Sequence, residues 1–298
     1  MTTHGLVVVD KPAAWTSHDV VAKLRKIYRQ RRVGHAGTLD PDATGVLVVG
    51  LGRVTRLLRF LQDTAKGYRA TIVFGVSTTT LDASGEVVDR RPMPIERADV
   101  EAAIPAFLGE IDQLPPMVSA VKIGGRRLHE LARRGEDVER APRRVRIDRI
   151  DMEVFESGPY PSVTVVVECS SGTYIRSLAA DLGAQLGGVA HLAELRRLHI
   201  GSFTLADART LGAIEADPEA AVLPPLTAVR DLERVTVDAE QARAVAHGVT
   251  FPAAVFAGAQ AGPGPFAVVG SDDELLAVYE RRHAAVKPTV VLAPVEAT

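Results

Sequence analysis

Short apolar runs alternate with amphipathic segments along most of the chain. GLVVVDKP (5–12) is a β-rich run stopped by Pro12. In TSHDVVAKLRKIY (16–28), Val20, Val21, Leu24, Ile27 and Tyr28 fall on one helical face, and Thr16 or Ser17 can cap its start. VLVVGLG (46–52) predicts a strand, and RVTRLLRFLQD (53–63) keeps helical spacing through Val54, Leu57, Leu58 and Leu61. YRATIVFGV (68–76), VRIDRIDMEVF (145–155) and SVTVVVECSS (162–171) predict longer strands, the last two separated by the turn signal ESGPYP. GTYIRSLAADLGAQLG (172–187) reads as a strand end passing into a helix that closes at Gly187 and Gly188. The alternation is irregular, which favours an α+β domain on a mixed sheet over a regular doubly wound one.

The texture changes near residue 223. LPPLTAV is a proline-bearing connector; beyond it come FAVVG, LLAVYE and TVVLAP, with the Gly/Pro loop AGAQAGPGPF before them. Two units are expected: a catalytic domain over 1–225 and a small β-rich module over 226–298. The 298 residues, 46% of them hydrophobic, can bury a sizeable core. The single cysteine, Cys169, excludes an internal disulfide framework and a cysteine-rich zinc site, and suits a reducing cytoplasm. The N-terminus lacks a basic n-region, and no window is long and apolar enough to cross a bilayer. The expectation is a soluble, cytoplasmic monomer.

Charge changes the picture. The formal net charge is −2, yet KLRKIYRQRR (23–32) carries six cations and no acid. These are Lys23, Arg25, Lys26, Arg29, Arg31 and Arg32. A second basic stretch, 122–147, holds Lys122, Arg126 and Arg127 with further arginine pairs, against four acids. Such focused basicity is compatible with a phosphate backbone, and equally with solvated helix ends.

The segment with the most unusual chemistry is GHAGTLDPDATG (34–45). Pro41 fixes its own φ and pushes Asp40 toward extended geometry, while Gly37 and Gly45 permit bends around it. Asp40 could serve as nucleophile or general base; Asp-Pro-Asp is also ordinary turn chemistry. Paired Asp40 and Asp42 could chelate Mg²⁺, and Asp40 could be half of a glycosidase pair, but no second acidic cluster of suitable spacing supports either. In GTYIRSL, Tyr174 and Arg176 would share a face of a strand end, and a buried Arg176 would need an acid such as Asp40. Tyr68, in KGYRA, opens a strand.

Seven segments in this order resemble one family. They are KPAAWTSHDVV, GHAGTLDPDATGVLVVGLG, KGYRATIVFG, TTTLDASGEVV, QLPPMVSAVKIGGRRLHELARRG, CSSGTYIRSLAADLG and AELRRLHIGSF. Over roughly residues 4–225 the chain is similar to the bacterial tRNA pseudouridine-55 synthases, the TruB family. The resemblance implies a mainly antiparallel pseudouridine synthase fold followed by a PUA-like RNA-binding domain. It also implies isomerisation of a T-loop uridine with no metal or organic cofactor. Carried onto this chain, it makes Asp40 the catalytic carboxylate, pairs Arg176 with it to keep it ionised, and stacks Tyr68 on the target base. Tyr174 and Leu195 would line the pocket, Lys11 would support it, and His35 would serve extrusion of the uridine. The 23–32 and 122–147 stretches would cradle tRNA backbone. The chain departs from the family at MVSA (117–120) and Leu128-His129, which bears on local RNA contacts. Two other readings are weighed: a guide-RNA-dependent synthase of the same superfamily, and a non-catalytic RNA-binding or RNA-folding protein. Folding of tRNA could also be a second role of the enzyme.

Overall fold

A computed structural model describes residues 2–118, 122–123, 126–127, 138–256 and 264–292. Its centre is a nine-stranded sheet. The main path runs Gly5–Lys11, Thr44–Leu51, Ala190–Ile200, Lys66–Phe74, Ser162–Cys169, Arg143–Glu156 and Gly109–Gln113, with Val33–His35 and Phe203–Thr204 pairing off it. Neighbours are antiparallel except where Thr44–Leu51 meets Ala190–Ile200. At that join Arg196 sits opposite Thr44, and Arg197 opposite Gly45.

The two kinds of apolar run have different surroundings. Gly5–Lys11 and Thr44–Leu51 are buried almost continuously because both faces are covered. On one face Val7, Val9, Leu47 and Val49 pack against Val20, Val21 and Leu24 of the helix Ser17–Ile27. On the other, Leu6, Val8, Val46 and Val48 join Leu57, Phe203 and apolar residues of the C-terminal module. Ser162–Cys169 instead alternates, with Val163, Val165, Val167 and Cys169 inward, as a strand with a half-open face should.

Thr16 is the residue that caps the first helix. Its hydroxyl accepts from the Asp19 amide at 3.0 Å, and the Asp19 carboxylate accepts from the Thr16 amide at 2.9 Å, forming a capping box. Residues 53–63 depart from the expected single helix. They form a 3₁₀ turn over Gly52–Arg56 and one short α turn over Arg59–Gln62, although Val54, Leu57, Leu58 and Leu61 are all buried as the spacing required. The β-strand end expected before Arg176 is also corrected: Tyr174 is the N-cap of the helix Ile175–Gln185, so Arg176 lies in the first helical turn.

The C-terminal part contains a five-stranded sheet in the order Glu233–Thr236, Phe266–Val269, Leu275–Arg282, Ala285–Val291 and Phe251–Pro252. Phe251, Phe256, Phe266 and Tyr279 meet edge-on or tilted against this sheet. The proline-bearing connector forms a 3₁₀ turn, Pro225–Val229, whose Ala228 and Val229 are buried with Val269, Val278 and Leu292. Arg53 and Arg56 donate to the carbonyls of Leu292 and Val291 at 3.0 and 2.7 Å. The module therefore continues the core on the far side of the first two strands. Residues 257–263 and 128–137, the latter with Leu128-His129 and the 133–134 arginine pair, lie outside the described residues. Among the described residues, no helix is long and apolar enough to cross a membrane.

Candidate active site

Asp40 lies in the bend between Val33–His35 and Thr44–Leu51, held from several sides. The Ala43 amide donates to the Asp40 carbonyl at 3.2 Å, closing a turn with Pro41 at its second position. Ser17, buried at the start of its helix, accepts from the Leu39 amide at 2.9 Å and donates to the Leu39 carbonyl at 3.2 Å. Lys11 is fully buried beneath the bend. Its ammonium donates to the carbonyls of Pro41 at 2.8 Å and Pro12 at 2.9 Å, and to that of Trp15. Burial pushes the Lys11 ammonium down to about 8, against the pull of Asp42 and Asp40. Gly45 ends the bend at φ +100°, where a side chain would also collide with the Arg197 backbone.

The helix Ile175–Gln185 brings Arg176 to this bend from 136 residues away. Its Nε and Nη2 reach the two Asp40 carboxylate oxygens at 3.0 and 3.2 Å, a forked pair. The same guanidinium meets the Asp82 carboxylate at 3.4 Å and donates to the carbonyls of Thr80 at 3.1 Å and Val118 at 2.8 Å. Arg176 is thus shared between two carboxylates, and Asp82 was not among the sequence candidates. Gln113, also missed, accepts from the Tyr174 amide at 2.7 Å and donates to its carbonyl at 3.0 Å, fixing the start of this helix.

These groups surround a cavity of about 330 Å³. Asp40, Tyr68, Tyr174, Arg176 and Leu195 all line it, together with Lys66 and Arg197. Tyr68 is buried, which pushes its phenol up, opposed by the nearby Arg197 charge. Lys66 donates to the Gln62 and Thr64 carbonyls at 2.9 and 3.0 Å, and burial brings it down to about 8. His35 does not line the cavity: it sits edge-on to His18, ring centres 5.7 Å apart, and burial lowers its pKa. Asp42 is exposed.

The net effect on Asp40 runs against the expectation that pairing keeps its pKa low. Burial raises the carboxyl above the ordinary aspartate value, and Arg176 opposes that without cancelling it. A reaction that needs the Asp40 carboxylate therefore loses rate, as pH falls, at a pH above the ordinary aspartate value near 3.9. The pH dependence of a single-turnover rate checks this; a rate that holds down to that ordinary value contradicts it.

Of the basic candidates, Arg25, Lys26, Arg29, Arg31 and Arg32 are exposed at and after the end of the first helix. Lys23 is ion-paired with Glu215 and Arg32 donates to Thr55 at 3.1 Å, so neither is wholly free for a ligand. Lys122, Arg126 and Arg127 belong to a small hairpin in which Lys122 pairs with Arg127 and Ile123 with Arg126. Arg143 and Arg144, counted in the second basic stretch, instead open a strand paired with Gly109–Gln113.

A carboxylate steered by one arginine, beside a buried phenol in a cavity within the size range of small-molecule sites, is equipped to act as nucleophile or general base on a bound ligand. Comparison with known proteins says which chemistry this is. Residues 25–175 match the N-terminal domain of the TruB family pseudouridylate synthases, and residues 176–239 match the tRNA pseudouridylate synthase B C-terminal domain. The chain is 47% identical to the tRNA pseudouridine synthase B of Thermobifida fusca (strain YX), covering 97% of this chain and 98% of that one. It is 44% identical to that of Mycobacterium sp. (strain KMS), covering 97% and 96%. Among solved structures, a chain of a Cbf5–Nop10–Gar1 complex is 28% identical with a TM-score of 0.74, covering 98% of this chain and 86% of that one. A chain of an H/ACA RNP bound to a substrate RNA containing 2′-deoxyuridine is 25% identical with a TM-score of 0.73 and the same coverage. The chain belongs to the TruB family of pseudouridylate synthases.

Proposed function

We propose that the protein is a tRNA isomerase that converts a uridine in the T-loop to pseudouridine, acting on a nucleotide turned out of its stack. The observation that carries this reading is the forked Arg176–Asp40 pair facing Tyr68 across one cavity. The N1–C1′ bond must break, the base must rotate, and C5 must bond to C1′. Asp40 is placed to capture C1′ or to assist loss of the C2′ proton. Tyr68 stacks on the base and handles its proton, and Tyr174 and Leu195 close the apolar wall. Lys11 holds the Asp40 bend from below. His35, outside the cavity, belongs to the apparatus that fills the space left by the departing uridine. Extrusion is needed because the reacting bond is inaccessible in a folded T-loop.

The exposed cations of 23–32 and the Lys122–Arg127 hairpin form the backbone-binding surface, and the module over 226–298 is a PUA-like RNA-binding domain. The protein works as a cytoplasmic monomer, and it can assist tRNA folding. Similarity to the Cbf5 chain raises a guide-RNA-dependent alternative; the 44–47% identity to tRNA synthases favours the stand-alone enzyme. Incubating the protein with a bare T-arm transcript and mapping pseudouridine by position tests this. One modified T-loop position without guide RNA is expected; no product until a guide RNA is added would overturn the reading.

Replacing Arg29 and Arg31 with Gln is expected to weaken binding and to reduce the salt slope by about one for each phosphate that is no longer neutralised. Binding titrations at several salt concentrations read this directly. An unchanged slope removes 23–32 from the RNA-facing surface.

A further inference from the structure

Arg197 has no role in the chemistry described so far, and its surroundings are unusual. It is 1% exposed, yet among the described residues it has no carboxylate partner. Its guanidinium donates to three backbone carbonyls: Val46 at 2.8 Å, Gly37 at 3.2 Å and Thr38 at 3.4 Å. Gly37 and Thr38 lie in the first half of the Asp40 bend, and Val46 follows the glycine that ends it. In the sheet, Arg197 sits directly opposite Tyr68 on one side and Gly45 on the other. Both residues line the cavity, and the Arg197 charge lies near enough to act on the Tyr68 phenol.

A neutral amide could tie backbone carbonyls together at far lower desolvation cost than a buried guanidinium. The charge itself therefore needs a use, and the group it meets inside the cavity is the Tyr68 phenol. The other charged or titratable groups near that phenol are Asp40 and Cys169, with Lys66 and Arg176 farther along the cavity wall. Asp40 is already matched by Arg176.

We propose that Arg197 is a positioning residue for proton transfer on the base, holding the Tyr68 oxygen in place and supplying the positive charge beside which the phenol can release and regain a proton. The inference rests on the isomerase reading above. When the N1–C1′ bond breaks, its electron pair stays on N1, and the Tyr68 hydroxyl gives N1 its proton. After C5 has bonded to C1′, the Tyr68 phenolate takes the proton from C5, and the C5–H electron pair restores the C5=C6 double bond. One proton has moved from C5 to N1, and Tyr68 ends as it began. The transient phenolate is formed in a buried place, and Arg197 is the cation that stabilises it there.

The test is a comparison of Arg197→Met and Arg197→Lys in the full chain, in ordinary and in heavy water, using T-arm RNA carrying protium or deuterium at uridine C5. Arg197→Met is expected to lower kcat by about 10²-fold, the lower end of what general acid–base catalysis contributes, with KM little changed. It should also raise the solvent deuterium isotope effect and leave the C5 deuterium effect no larger, because release of the Tyr68 proton to N1 becomes the slow step once the phenolate has lost its neighbouring cation. Arg197→Lys should keep more of the rate and show a smaller solvent isotope effect. Placing 3,5-difluorotyrosine at position 68 in Arg197→Met should restore part of the rate, since a more acidic phenol needs less help from a cation. A rise in KM with kcat and the solvent isotope effect unchanged would mean that Arg197 meets a substrate phosphate instead, and would overturn the proposal. If Arg197→Met fails to fold, Arg197→Lys decides: difluorotyrosine at position 68 must raise its rate, and no change sinks the idea. Failure of the native protein to make pseudouridine on the T-arm would remove the isomerase reading itself, an outcome separate from any of these.

Discussion

Asp40→Asn is expected to abolish pseudouridine formation, lowering the single-turnover rate by at least about 10³-fold, while T-arm affinity stays within about threefold. The amide is isosteric but can neither attack C1′ nor accept a proton from C2′. The fold should survive the change because Arg176 keeps a second carboxylate, Asp82, at 3.4 Å. The bend itself is held by Ser17, Lys11 and the Ala43 amide, none of which needs the Asp40 side chain. Position-resolved mapping of pseudouridine and filter binding on the same RNA separate chemistry from recognition. A variant that still isomerises uridine at the native rate would mean that another group does the work.

The second large effect is at Arg176. Arg176→Met leaves Asp40 and Asp82 close to one another without the cation they share. Arg176 holds the Asp40 carboxyl down against burial, so its removal raises that pKa further. The active form is the carboxylate, and it is lost as pH falls through the raised value; the acid limb of the rate profile must therefore move to higher pH. Rate at neutral pH should fall by roughly 10²-fold or more, since the aim of the carboxylate is lost as well as its charge. Breaking a fully buried pair costs roughly 3–5 kcal/mol. Here the Asp40 side chain is 40% exposed, so water recovers part of the loss and about 2 kcal/mol is expected. Arg176→Lys keeps a charge without the fork and should show a smaller shift of the acid limb. Thermal unfolding alongside the pH profile checks both; a profile that does not move in Arg176→Met contradicts the electrostatic role.

Much of the framework was legible because local pattern and final environment agree. Val20, Val21 and Leu24 recur at helical spacing and are buried together. Ser162–Cys169 alternates because one face of that strand meets the core. Residues 53–63 show the limit. Helical spacing buried the right side chains, but the chain turns from a 3₁₀ segment into a four-residue α turn there. Spacing reports which residues go inward and is nearly blind to which tight helical geometry takes them there. Tyr174 misled for a related reason: a run of small and polar residues before an apolar stretch suits a strand end or an N-cap equally.

The site divides in the same way. Composition left GHAGTLDPDATG as a turn with ordinary polar chemistry, and the ordered companion motifs marked Asp40, Tyr68 and Arg176. Asp82, Gln113 and Arg197 stayed hidden, since each acts on a residue far away in the chain: Gln113 on Tyr174, 61 positions on, and Arg197 on Gly37, 160 positions back. By itself the sequence determined the bend at Asp40, through Pro41 and the left-handed glycines at 37 and 45, and the inward faces of the strands that carry it. Those are local properties of φ, ψ and side-chain period, which a chain carries wherever it goes. Tertiary structure alone decided that one guanidinium is shared by Asp40 and Asp82, and that a second lies buried opposite Tyr68. Partnership between charges depends on distance in space and on the water excluded around them, and neither is written in the order of residues along the chain.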